Sequence, residues 1–208
     1  MQAMIFVRRS GAFGLGHVGW GFQYSDGSYD EGAVENQSGM AVDPPGQNGF
    51  WNCQVVDPLA DMRRLNYDGY KTIPVNPAFP NAADDTVAWL SHQWYLALGS
   101  NCVDFVYDAL RSYGADLPWP LLHLFPNDWF NAIQGNEIPL SKLTPGVAMF
   151  ELPVSKLVGT PKVPAWRQPG TQEWIELKNA LSTGTLYGKP PTQRSPEYER
   201  LLERAVPN

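Results

Sequence analysis

Cysteine is scarce in this chain. Cys53 and Cys102 are the only two in 208 residues, so no disulfide framework holds the fold, and at most one bridge could form between them. Histidine is scarcer than the length would suggest, at positions 17, 92 and 123, and no two of these five side chains are close in sequence. The ligand spacing of a structural zinc site is therefore missing, and neither a metal nor another cofactor is expected. Runs of basic residues are missing too. The 15 lysines and arginines are scattered among 21 acidic residues for a net charge of −6, which excludes the footprint needed for a phosphate backbone, so nucleic acid is not an expected partner. Apolar stretches such as Leu117 to Phe125 are broken by proline and fall short of the about 20 residues a membrane-spanning helix needs. The opening MQAMIFVRRSG lacks the basic, apolar, small order of a signal peptide, so a cytoplasmic location is expected. The stretch GAFGLG at 11–16 lacks the spacing and the following helix of a dinucleotide fingerprint, and reads as a flexible loop.

What is present is a chain 43% hydrophobic and 17% charged, enough apolar material for one sizeable core. Strands are expected at Met4 to Arg9, His17 to Tyr24 and Tyr29 to Asn36, the last two joined through Asp26-Gly27, a dipeptide that favours a tight hairpin turn. Phe50 to Val56 and Tyr70 to Val75 read as further strands, the latter at an edge because of Pro74. A short helix is expected over Leu59 to Tyr67. Val87, Leu90, Trp94 and Leu98 at helical spacing predict an amphipathic helix over Asp84 to Leu98. A second helix follows from about Asn101 to Tyr113, with Gly114 as its stop and Val103, Val106, Leu110 and Tyr113 as one apolar stripe. Beyond a proline- and tryptophan-rich segment, a strand pair is expected between Leu140 and Leu152, and helices at Gln172 to Leu181 and Pro196 to Ala205.

Cys102 falls in the first turn of its helix. A lone cysteine ordinarily packs as a small apolar side chain, but this position is different in kind. The unpaired amides and dipole of a helix start favour an anion, and Ser100 or Asn101 supplies the cap. A thiol is a nucleophile only as thiolate, and the same amides can hold the oxyanion of an attacked carbonyl, with Asn101 beside it as a substrate contact.

The second requirement is an imidazole. His17 opens a strand among small residues that leave room for a substrate, and Trp20 on that strand is placed to line a groove. His92 reads as a surface residue, and His123, in a proline-bounded loop, stands in reserve. With Asp26-Gly27 as a two-residue turn, Ser25 pairs with Ser28 and His17 falls opposite Asn36. Partners on one face lie about 5 Å apart, near enough for an amide oxygen to hold the ring. A turn one residue longer, or a bulge, puts Glu35 there instead.

The segment GHVGWGF, an Asp-Gly hairpin and the later SNCVDFV helix start together resemble the circularly permuted NlpC/P60 hydrolases, which include relatives of lecithin retinol acyltransferase. The likeness covers Met4 to Gly114. It implies an α+β, permuted papain-like fold with an antiparallel sheet packed on the cysteine helix; the chain is expected to divide into a catalytic domain of residues 1–152 and a proline-rich extension of residues 153–208, which has no counterpart in that family. It further implies Cys102 as nucleophile, His17 as base and a polar third residue, acting through an acyl-enzyme on an amide or peptide bond, with peptides of the cell wall among the substrates. Strand three has no second histidine of the kind acyltransferase relatives often carry, which favours hydrolysis. Acyl transfer on the same scaffold, and a non-catalytic binding module in which Cys102 merely packs, are the alternatives.

Overall fold

The structure is a computed structural model that describes residues 1–36, 38–97, 100–123, 125–141 and 152–168. It is an α+β arrangement whose strands are β1 (Gln2–Arg8), β2 (His17–Gln23), β3 (Tyr29–Val34), β4 (Val42–Asp43), β5 (Phe50–Val55), β6 (Gly69–Pro74), β7 (Tyr95–Leu96) and β8 (Ile138–Pro139). The helices are α1 (Ala60–Arg64), α2 (Pro80–Leu90), α3 (Cys102–Tyr113) and α4 (Pro126–Ala132). Six strands form one antiparallel sheet in the order β5-β3-β2-β1-β6-β8, and β4 pairs with β7 apart from it.

Period-two alternation gives each face of this sheet its own cover. On one face Met4, Phe6, Tyr29, Ala33 and Trp51 meet Met62, Leu65 and Tyr67, in and just after α1. On the other, Val18, Trp20 and Phe22 are wholly buried beside α3, where Phe50 contacts Phe105 at 6.3 Å and Phe22 contacts Tyr113 at 5.3 Å between ring centres. Helix α3 runs alongside β2. Its last residue, Tyr113, donates its hydroxyl to the carbonyl of Gln23 at the far end of β2. Twelve helical residues span about 17 Å and seven extended ones about 20 Å. The first residue of α3, Cys102, therefore returns to the start of β2, at His17.

The expected helix over Asp84 to Leu98 begins earlier and stops sooner. Pro80 supplies a first-turn residue with its φ already set. At the other end Ser91 Oγ and His92 Nδ1 bond the Ala88 carbonyl, and Gln93 Nε2 donates to Trp89 O, so side chains take up the carbonyls that another turn would have used. Tyr95 and Leu96 then join a strand pair, and Trp94 is exposed. Helix α4 forms in the proline- and tryptophan-rich segment, where none was expected.

Two compact units divide the chain, Met1–Lys162 and Val163–Asn208. The first is longer than the expected 1–152 because the following segment is tied to it: Ser155 Oγ accepts from the Asn52 amide, the Lys156 amide donates to Asn52 O, and the Thr160 and Lys162 amides donate to Asp85. In the second, Ala165–Arg167 makes a 3-10 turn. Residues 142–151 of the expected strand pair and both expected C-terminal helices lie outside the described residues. No described helix is long and apolar enough to cross a membrane.

Candidate active site

The site begins with the β2–β3 hairpin. Its loop has three residues, Ser25, Asp26 and Gly27: the Tyr24 amide donates to Ser28 O, the Gly27 amide to Tyr24 O, and Gly27 takes φ +90°. Asp26 Oδ1 accepts from the amide and hydroxyl of Ser28, which fixes the turn. Pairing then runs Gln23 with Tyr29 through Gly19 with Ala33, and its continuation brings Glu35 to His17. On the other side Arg8 pairs with His17. Arg8, His17 and Glu35 thus lie in one row across three strands.

Glu35 is the centre of this row. Its Oε2 lies 2.7 Å from Arg8 Nη2 and 3.2 Å from His17 Nε2, while Oε1 accepts from the Tyr67 hydroxyl at 2.9 Å and from Trp51 Nε1 at 3.3 Å. The His17 contact is an ion pair at close range, and Nε2 is not aligned there as a regular hydrogen bond. Burial is the largest single influence on Glu35 and pushes its pKa up, but His17 and Arg8 together outweigh it and hold the carboxyl well below the usual carboxylate range. Asn36, the first choice for this role from the sequence, is turned elsewhere: it takes φ +44°, and its Nδ2 donates to Met40 O at 3.1 Å.

The His17 ring also interacts electrostatically with Cys102, and both side chains line the same cavity. Burial works most strongly against a charge on His17. Glu35 first, and then Cys102, overcome it and raise the imidazole to about 9, so at neutral pH the ring is an imidazolium beside the Glu35 carboxylate. Tyr67 completes the wall, its ring 5.7 Å from that of His17 and beneath the Arg8 guanidinium.

Cys102 is placed by a reciprocal cap. Asn101 Oδ1 accepts from the Val103 amide at 2.8 Å, and Asp104 Oδ2 accepts from the Asn101 amide at 3.0 Å. Those two amides are taken, and the Cys102 amide stands beside its own thiol at the helix start. Both cysteines are free thiols. The glycine before His17 is required twice over: Gly16 has φ +99°, and a Cβ there would lie 2.5 Å from Asn127 Oδ1. Asn127, on α4, donates to Arg9 O and Gly14 O and so clamps the loop leading into β2.

A cavity of about 520 Å³ opens on this group. Arg8, His17, Glu35, Asn36, Asn101 and Cys102 line its polar part, and Leu15, Met40 and Phe125 are among the apolar side chains around it, with Phe13 wholly exposed at its edge. Trp20 does not line it. That side chain is fully buried on the α3 side, with Nε1 donating to Asp30 Oδ1 at 2.9 Å, so its place is in the core and not in a substrate groove. His92 is exposed on the turn after α2, and His123 follows a 3-10 turn outside the cavity lining. Sequence reasoning missed Arg8, Tyr67 and Trp51 as partners of Glu35. An arginine at the end of an otherwise apolar strand was the one available signal. Comparison of the chain with protein-family models, curated proteins and solved structures gave no match.

Proposed function

We propose that this protein is a cysteine-nucleophile hydrolase that cleaves an amide or peptide bond through an acyl-enzyme, on a circularly permuted papain-like fold of the NlpC/P60 kind. One observation carries the reading: a buried imidazole that is ion-paired with the Glu35 carboxylate, interacts with Cys102, and shares with both the lining of one cavity. That is the order of a nucleophile, its proton carrier and an orienting group.

In this reading the Cys102 thiolate attacks the carbonyl carbon, the Cys102 amide donates to the resulting oxyanion, and His17 gives its proton to the departing amine nitrogen as the C–N bond breaks. Acylation removes the interaction with Cys102, one of the influences that hold the His17 pKa up. The neutral ring then takes a proton from water as that water attacks the thioester, and the acid is released with Cys102 restored. Glu35 stays ionised throughout and keeps the ring oriented.

Acyl transfer is the second reading, favoured by the apolar side chains around the cavity, which suit an apolar acceptor. The interaction between His17 and Cys102 weighs against a purely packing role for the thiol. The test is the alkylation rate of Cys102 by iodoacetamide between about pH 4 and pH 9 in wild type and His17→Ala. Rapid reaction well below pH 8 that is lost in the variant supports the pair, and an inert thiol throughout refutes it. Trapping the acyl-enzyme from an amide substrate, then comparing its decay in water with that in added amine, separates hydrolysis from transfer.

A further inference from the structure

A second group of side chains lies on the α1 side of the sheet, built from three places in the sequence. Strands β3 and β5 pair Glu31 directly with Cys53, and α1 brings Asp61 against both. Cys53 Sγ is 3.9 Å from Glu31 Oε1 and 3.7 Å from Asp61 Oδ2, and one ligand atom from each residue lies within 4.8 Å of the others. Glu31 is wholly buried, yet its Oε2 has no hydrogen-bond partner among the described residues. Asp61 Oδ1 accepts from Arg64 Nε at 2.9 Å, which leaves Oδ2 turned toward the thiol. Asp30 and Asp57 add negative charge around Glu31. Burial first, and then this crowding, push the Glu31 carboxyl up to about 9.

We infer that Glu31, Cys53 and Asp61 form a binding site for a divalent cation of the zinc class. A thiolate among the ligands disfavours magnesium and calcium, and two carboxylates with one sulfur suit a borderline metal. With metal–sulfur and metal–oxygen distances of about 2.3 Å and 2.1 Å, the observed sulfur–oxygen separations subtend about 114–125°, and a closure of about 0.1–0.3 Å makes them tetrahedral. Cys53 and Asp61 are half-buried, so the ion has a way in and water can take the fourth position. The bound cation fastens the outer strand β5 and helix α1 to the sheet. It uses no residue of the Cys102 site and does not depend on the proposed hydrolysis.

The full-length chain carrying Cys102→Ala, in which Cys53 is the remaining thiol, is titrated with Cd²⁺ and the ultraviolet thiolate-to-cadmium band is followed, with Zn²⁺ as competitor. The expected result is one equivalent bound, displaced by Zn²⁺, with the band lost on adding Cys53→Ala and affinity reduced about tenfold or more by Glu31→Gln. Absence of the band, its survival in Cys53→Ala, or unchanged affinity in Glu31→Gln overturns the inference. Should Cys102→Ala fail to fold, the wild-type chain serves: Zn²⁺ should slow alkylation of the Cys53 peptide, read by mass spectrometry, by about tenfold or more, and an unchanged rate overturns the inference as well.

Discussion

Arg8 donates to the same oxygen of Glu35 that faces His17, at 2.7 Å, so the carboxylate beside the imidazole is anchored from behind by a permanent cation. Glu35 is thereby kept from taking the proton itself. Replacing it by glutamine preserves its shape and removes its charge, leaving Arg8 without its anion.

Glu35→Gln is expected to lower kcat by about 10²-fold or more, and to bring the His17 pKa down toward its ordinary value. The pH profile of Cys102 alkylation reads the second effect. Asn36→Gly keeps the left-handed backbone and removes only the amide, and its profile should overlay that of wild type.

Cys102→Ala and His17→Ala should each remove turnover, by about 10³-fold or more, with far-ultraviolet circular dichroism unchanged. The double variant should be no worse than either single one, because the two groups act as a unit. Independent, multiplying losses would argue against a shared proton.

The pH dependence of stability follows from the raised His17 pKa. Protonation of this ring favours the folded state, so its contribution is complete below about 6.5 and is lost as pH rises toward about 9. The amount is of order 3 kcal/mol at most. Melting temperature measured from pH 6 to pH 10 should fall more steeply in wild type than in His17→Gln. Turnover, which needs the imidazolium to protonate the leaving group, should decline through the same upper range.

Gly32→Ala tests whether Trp20 belongs to the core. A Cβ at Gly32 would lie 2.3 Å from Trp20 Cζ2 and 2.5 Å from Trp51 O, contacts that the fully buried indole on one side and the Trp51 backbone on the other keep from relaxing. A loss of about 1–3 kcal/mol or more is expected in denaturant titrations. KM of the folded enzyme should not change, whereas a shift in KM would return Trp20 to the substrate.

How much of this was legible in the sequence depends on how local each feature is. Helix α3, with its Asn101 cap and Gly114 stop, is written in neighbouring residues and is found where its pattern puts it. The hairpin is legible too, but its register is not. A two-residue turn of the mirror type needs positive φ at both Asp26 and Gly27, and only Gly27 adopts it, because Asp26 spends its side chain on Ser28. That single residue moves the position opposite His17 from Asn36 to Glu35. The end of α2, the row of Arg8 and Tyr67 behind Glu35, and the meeting of Glu31, Cys53 and Asp61 are set by tertiary contacts between distant segments, and no local pattern announces them.

The interaction between His17 and Cys102 joins the first hairpin of the chain to a helix that follows it only after a long intervening stretch. Loop-closure entropy makes such an interaction one of the later ones to form. On the proposed reading, Cys102 gains its imidazole only when these distant segments meet, so the activated pair exists only in the folded chain.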